Sequence, residues 1–212
     1  MKSLIQILII LIISLKMDAQ NSSNQVAGEY YLRGVMETAS GFKLNTDSSF
    51  EFFFSQGALD RFGTGKWNVK DGQIILNSRT KPPVDFVMST SKEVPGDSIT
   101  IRLVDNNTML LHYLESSIKT ATGVKYSESN REGILQFPKE QIEEITLHFV
   151  ICGERVSVFK PQNKNDNYFE FKFEPWIAEV FCTDLLLKAD GKNLIGSHPL
   201  LQGNKYTYEK AR

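Results

Sequence analysis

The 212-residue chain has few of the residues that mark particular classes of protein. It carries only 2 cysteines and 3 histidines, and its 24 Lys and Arg are offset by 25 Asp and Glu, giving a formal charge of -1. Such a balance offers no overall field to nucleic acid or to an anionic membrane surface, so we predict no nucleic-acid partner. Apolar residues, in contrast, make up 41% of the chain and include 14 Phe, which is enough for a folded core.

Sequence signatures of enzymes are also scarce. No G-x-S-x-G nucleophile elbow occurs, and the three histidines show no paired metal-binding spacing. We therefore predict no catalytic residue, no metal site and no cofactor. His112 and His148 alternate with apolar neighbours on predicted strands, which places both side chains toward solvent, and His198 lies in a turn before Pro199.

A glycine-rich stretch, Gly57–Gly65, resembles a phosphate-binding loop in composition only. Such a loop needs a helix after it, whose N-terminal N–H groups point at the anion, whereas a strand carrying Trp67 follows here. We therefore predict a plain hairpin loop with Asp60 and Arg61 as a surface ion pair.

One long apolar run, Leu4–Leu15, follows Lys2 near the N-terminus. The run is shorter than the roughly 20 residues that a spanning helix needs, and it has the length of a signal-peptide core. Ala19 suits the position before the cut, so we predict that residues 1–19 are a signal peptide. The mature protein is then secreted or periplasmic, with no stable membrane span. Because Met17 is large for its place, an uncleaved N-terminal anchor remains the alternative.

Two-residue alternation dominates from Gly28 onward, as in strands that bury one face and wet the other. Phe50, Phe52 and Phe54 lie on one side of such a strand. Asp71-Gly72 predicts a tight hairpin turn later in the same meander. The pattern indicates an all-β protein.

The mature chain divides into two predicted β-units, residues 20–94 and 95–212. The boundary falls at Lys92–Asp97, where the sequence becomes polar and contains Pro95-Gly96. At most one short helix is expected, over Lys139–Glu144, because these residues follow Pro138 and favour a helix.

The two cysteines, Cys152 and Cys182, leave two interpretations open. Export would place them where a disulfide persists. Each also lies in or beside an apolar strand, which suits a buried thiol. A possible Cys152–Cys182 disulfide is therefore a hypothesis that needs the two Cα atoms within about 7 Å.

The first β-unit resembles the opening strands of small lipocalin-like envelope proteins. The resemblance is carried by Gly28-Glu29-Tyr30, Leu44 with Asp47, Phe50 and Phe52, Gly65-Lys66-Trp67, and Ile74-Ile75-Leu76. It implies a lipocalin-like meander or partial barrel. The paired cysteines of the copper-resistance lipoproteins are missing, so the resemblance implies no metal role.

The second β-unit resembles the carboxypeptidase-regulatory-like β-sandwich, from Val104-Asp105 to the segment Ser127–Phe137. That family has Thr and Asp where this chain has Ser127 and Glu128. The resemblance implies a non-catalytic accessory module. The segment ending Ala19-Gln20 is similar to the signal peptides of Bacteroidota exports, which implies a secreted protein of that phylum.

Function is expected to lie in binding or assembly surfaces. We predict a non-enzymatic exported envelope protein that contacts an envelope or extracellular partner. The alternative is a carrier of a small apolar ligand, with a cavity lined by Phe50, Phe52, Phe54 and Trp67. A secreted hydrolase is the second alternative.

Overall fold

The computed structural model describes residues 26–57 and 59–212. Within them the regular structure consists of β-strands and two short 3-10 helices, Thr108–Tyr113 and Val150–Cys152, which confirms the all-β prediction. The predicted signal peptide, residues 1–19, lies outside the described residues. In the part of the chain that the structure covers, no helix is both long and apolar enough to cross a membrane.

Eight antiparallel strands form a closed barrel in which every strand is paired on both sides, in the order β1-β16-β15-β14-β5-β4-β3-β2. The strands are β1 (Gly28–Arg33), β2 (Thr38–Leu44), β3 (Ser49–Gln56), β4 (Leu59–Lys70), β5 (Gln73–Asn77), β14 (Leu185–Asp190), β15 (Asn193–Gly196) and β16 (Tyr206–Lys210). Asp71 and Gly72 both have positive φ, 51° and 75°, and form the predicted two-residue turn between β4 and β5.

The remaining eight strands form two four-stranded sheets that share one apolar core, as in a β-sandwich. One sheet has the order β10-β7-β13-β6 and the other β12-β11-β8-β9. Their strands are β6 (Phe86–Lys92), β7 (Ser98–Leu103), β8 (Leu114–Thr120), β9 (Gly123–Glu128), β10 (Ile134–Pro138), β11 (Ile142–Phe149), β12 (Val156–Phe159) and β13 (Tyr168–Phe173).

The two compact units are divided differently from the predicted boundary. Described residues up to Lys81 join Glu179–Arg212 in the barrel unit, and Pro82–Ala178 forms the sandwich unit. The predicted boundary, Lys92–Asp97, instead connects β6 to β7 within one sheet. The buried Asn167 amide holds this connection, because it donates to the carbonyls of Val94 (3.1 Å) and Ser98 (3.0 Å) and accepts from the Val94 N–H (2.7 Å).

The predicted helix over Lys139–Glu144 is wrong. Strand β10 ends at Pro138 and β11 begins at Ile142, so only a short connection separates them. Ile142 and Ile145 are buried in the sandwich core, and this packing outweighs the helical preference of the charged residues around them. The predicted strand around His112 is also wrong, because His112 lies in a helix, the 3-10 helix Thr108–Tyr113.

The predicted loop Gly57–Gly65 is also wrong, since β4 begins at Leu59. Gly63 lies in β4 where the carbonyl of Val180 would be only 2.6 Å from an added Cβ. Glycine is therefore needed for a close backbone approach rather than for a loop. Arg61, predicted on the surface, is buried.

Candidate functional site

The outer side of the sheet β12-β11-β8-β9 presents two rows of side chains that cross all four strands. The first row follows the register Val156, His148, Glu115 and Glu128. The second row follows Val158, Thr146, Ser117 and Tyr126. Their neighbours along each strand point into the core, as Leu114, Ile145 and Leu147 do. We call these eight side chains the open face of the sandwich.

A depression of about 620 Å³ lies on this face. It reaches from Val156 on the edge strand β12 to Tyr126 on the edge strand β9. Tyr126 is 81% exposed. Glu115, Ser117 and other polar residues line it between these two ends. The volume falls in the range of ligand sites, about 300–1,000 Å³, and the arrangement combines apolar ends with a hydrogen-bonding centre.

His148 anchors the middle of the open face and uses both ring nitrogens. Its Nδ1 lies 3.0 Å from Oε2 of Glu115, and its Nε2 lies 3.2 Å from the carbonyl oxygen of Gly153. Both partners are hydrogen-bond acceptors, and the two contacts fix the orientation of the ring. The solvent-facing position predicted for His148 is confirmed.

Two carboxylates, Glu115 and Glu128, are direct cross-strand partners on the open face. Like charges in this arrangement repel each other. The contact of His148 with Glu115 offsets part of that repulsion, while the Glu128 residue remains exposed to solvent. The acceptors of Glu128, together with the hydroxyls of Ser117 and Thr146, suit a ligand that offers hydrogen-bond donors.

The predicted ligand residues Phe50, Phe52, Phe54 and Trp67 lie inside the barrel, where the structure brings all four into one core cluster. Each is 4% exposed or less, and they are surrounded by further large side chains such as Tyr208. The side chains thus occupy the space in which a carried ligand would lie. This packing leaves the ligand-carrier alternative without a supporting observation.

A buried histidine and serine also meet in the barrel interior. Nδ1 of His198 accepts hydrogen bonds from the backbone N–H groups of Leu200 (3.0 Å) and Leu201 (3.1 Å), so the proton of the neutral ring is on Nε2. Nε2 lies 3.0 Å from Oγ of Ser40, which donates to the carbonyl of Phe53. Because the ring donates its N–H to Ser40, it cannot act as the base that removes the proton from the Ser40 hydroxyl. The pair therefore has a structural role in the core and is not arranged for nucleophilic catalysis.

Burial keeps the His198 ring neutral, because desolvation lowers the pKa of the ring to about 4. The ring also stacks edge-on against Phe52 and Phe54, with centroids 5.5 and 5.6 Å away. His198 is therefore a neutral member of the core near neutral pH.

The two cysteines are buried in different units, Cys152 in the sandwich core and Cys182 in the barrel core. Burial raises the pKa of the Cys182 thiol to about 12, so its thiolate is scarce near neutral pH. The Cys152–Cys182 disulfide stays a prediction.

The open face was missed from the sequence, although one of its residues, Tyr126, carried a usable signal. Tyr126 is an aromatic residue within the polar stretch that follows Gly123, and its alternation with Lys125 and Ser127 requires it to face one side alone. Glu115 and Ser117 gave no such signal, since pairing between distant strands brings them together with His148. Across residues 26–57 and 59–212, no group of three or more His, Cys, Asp or Glu is arranged to hold a metal.

Comparison of the chain with protein-family models, with curated proteins and with solved structures finds no significant match in any of the three. The resemblances to lipocalin-like and carboxypeptidase-regulatory-like proteins therefore stay predictions.

Proposed function

We propose that this chain is an exported, non-enzymatic binding protein that contacts its ligand through the open face of the sandwich. The observation that carries the proposal is the depression of about 620 Å³ between Val156 and Tyr126. It is open to solvent and crosses four strands, which suits an extended ligand such as a peptide or a glycan chain from the envelope or its surroundings.

The chemistry of the open face favours binding over catalysis. Both nitrogens of His148 lie within hydrogen-bond distance of acceptors that belong to the protein itself, Oε2 of Glu115 and the carbonyl oxygen of Gly153. Ser117 and Thr146 present hydroxyls that both donate and accept, and Tyr126 offers a large exposed ring. Such a surface recognises hydrogen-bonding groups and stacked rings.

Export supports the same proposal, because an exported protein meets envelope and extracellular polymers. The sequence evidence for export is the apolar run Leu4–Leu15 with Lys2 before it and Ala19 after it. N-terminal sequencing of the protein from its own host tests this part, and a chain that starts at Gln20 is the expected result. A chain that still begins at Met1 would contradict cleavage.

The test of binding is an array of peptides and envelope glycans probed with the mature protein, followed by calorimetry on the strongest ligand. We expect Tyr126→Ala and Glu128→Gln each to weaken binding at least about tenfold. Val124→Ala is the matched control, because Val124 lies on the same strand, is 50% exposed and does not line the depression.

Two results would overturn the proposal. One is equal affinity of the wild type, Tyr126→Ala and Glu128→Gln for the ligand. The other is cleavage of the ligand by the wild type and its loss in His148→Gln, which would favour the hydrolase alternative.

A further inference from the structure

Three aromatic side chains form a row on the outer surface of the barrel, away from its core. Tyr31 on β1 is 38% exposed, Phe53 on β3 is 39% exposed and Phe62 on β4 is 50% exposed. The register places them on one line across the sheet, from Tyr31 through Gly41 to Phe53 and Phe62. We call Tyr31, Phe53 and Phe62 the aromatic row. Exposed apolar side chains that cluster in this way mark contact sites.

Gly41 lets two of these rings meet across the intervening strand. An added Cβ at Gly41 would lie 3.0 Å from a ring carbon of Phe53, which shows that the Phe53 ring leans over the glycine. The Tyr31 and Phe53 centroids are consequently only 6.0 Å apart, with an interplanar angle of 62°. The glycine thus turns separate aromatic residues into one continuous apolar surface.

A row of polar side chains runs beside the aromatic row, in the register Glu29, Lys43, Glu51 and Thr64. The Tyr31 hydroxyl donates to Glu29 at 3.0 Å, and the ammonium of Lys43 lies 3.8 Å from Glu51. Both rows line a depression of about 530 Å³, which is the size of a small-ligand site. Rings and hydrogen-bonding groups therefore face the same space.

Several partners are disfavoured by the surface itself. Every strand of the barrel is paired on both sides, so a peptide cannot be added to this sheet as another strand. The three rings together expose roughly 200–300 Å², well below the about 800 Å² per partner of a stable protein interface. The carboxylates of Glu29 and Glu51 repel anionic lipid and nucleic acid.

We infer that the aromatic row binds a short neutral saccharide. The apolar faces of sugar rings stack on Tyr31, Phe53 and Phe62, and the hydroxyls at the ring edges bond to Glu29, Lys43 and Glu51. A wholly apolar ligand would desolvate that polar row without compensation. This site is separate from the open face of the sandwich, and either one can exist without the other.

The experiment is a titration of the mature protein with neutral oligosaccharides of three to six hexose units, from β-1,4- and α-1,4-glucans, mannans and galactans, followed by calorimetry. At least one of them is expected to bind, with Phe53→Ala and Phe62→Ala each reducing the affinity at least about tenfold. Phe53→Trp is expected to retain binding, because a larger ring keeps the stacking surface.

Two controls separate this site from alternatives. Leu186→Ala removes an exposed side chain elsewhere on the barrel, and Tyr126→Ala removes the exposed ring of the open face. Neither should change the affinity by more than about twofold. Circular dichroism of each variant checks that it is folded.

The inference is overturned if no saccharide of the panel binds, or if Phe53→Ala and Phe62→Ala leave the affinity unchanged. Binding of vesicles rich in anionic lipid, or of a lysine-rich peptide, in preference to every saccharide would overturn it as well. Saccharide binding that is lost in Tyr126→Ala but not in Phe53→Ala would assign the ligand to the open face and remove it from the barrel.

Discussion

His198 in the barrel and His148 in the sandwich are each hydrogen-bonded at both ring nitrogens, but their partners are of opposite kinds. His198 accepts from two backbone N–H groups, which requires a neutral ring, and it lies in the core. His148 faces a carboxylate and a carbonyl oxygen on an outer surface, so both of its partners are hydrogen-bond acceptors.

The two units also differ in the side chains that their outer surfaces carry. In the barrel, Phe50, Phe52 and Trp67 fill the interior, while the aromatic row lies on the outer surface. The sandwich encloses an equally apolar core between its sheets, but the outside of one sheet carries polar residues and the exposed Tyr126 around a depression. Similar alternation thus fills the interior of both units, and it leaves exposed aromatic rings outside the barrel and a largely polar row outside the sandwich.

The largest change to the chain is removal of the whole sandwich unit, and it tests whether the barrel unit folds without it. Asn77 and Asp184 close the barrel where the chain leaves and returns, with hydrogen bonds of 3.0 and 2.7 Å. We therefore expect a chain in which residues 82–178 are replaced by a short Gly/Ser linker to fold as a barrel. Circular dichroism and a cooperative urea transition measure this, and a chain without tertiary structure would contradict it.

Truncating the barrel interior tests whether it is filled. Trp67 is 2% exposed and its indole N–H donates to the Asn45 carbonyl at 3.1 Å. We expect Trp67→Ala to lower the free energy of unfolding by about 3–5 kcal/mol, because it leaves a large cavity. Tyr126→Ala on the open face should cost less than about 0.5 kcal/mol. A loss below about 1 kcal/mol for Trp67→Ala would point to a hollow interior and favour the carrier alternative.

Acid should weaken the barrel through His198. Its pKa falls from the ordinary 6.5 to about 4 in the folded state, so the unfolded chain binds a proton first as the pH falls. The stabilisation is complete above about pH 6.5 and is lost progressively toward pH 4, by about 3 kcal/mol in all. Urea unfolding at several pH values measures the slope.

His198→Asn is the control for this titration, because its amide oxygen can accept the same backbone N–H groups without titrating. The variant should be less stable at pH 7, but its free energy of unfolding should no longer fall between pH 6.5 and pH 4 through this site. An unchanged slope would show that other groups cause it.

The smallest effect on stability is expected at His148. Its side chain and that of Glu115 are both partly exposed, at 29% and 47%, and such ion pairs contribute about 0–1 kcal/mol. His148→Gln should therefore leave the fold nearly as stable while it weakens ligand binding at the open face. A loss of several kcal/mol would show that His148 is structural, like His198.

Local pattern predicted part of this fold. The alternation of Phe50, Phe52 and Phe54 identified β3 and its inward face, and Asp71-Gly72 identified the turn after β4. Closure of the barrel could not be predicted in this way, because it pairs Tyr30 with Lys210 across nearly the whole chain. The insertion of the sandwich between β5 and β14 could not be predicted for the same reason. It depends on the pairing of two strands that are distant in the sequence, in which Leu76 lies opposite Leu185.

The candidate sites escaped prediction for a related reason. Phe53 lies between two inward Phe residues, so alternation alone requires it to face outward, and this signal was available in the sequence. Its meeting with Tyr31 and Phe62 depends on register, as does the meeting of Glu115 with His148. Register between strands is set by the whole sheet and not by any one segment.

The most direct test is an amide NMR titration of the uniformly ¹⁵N-labelled protein with the strongest peptide or glycan ligand from the array. We predict that the largest changes in amide chemical shift occur around Glu115, Tyr126 and His148, while the amide shifts of Phe52 and Trp67 in the barrel interior do not change. Large changes at Phe52 and Trp67, with none at Tyr126, would contradict it.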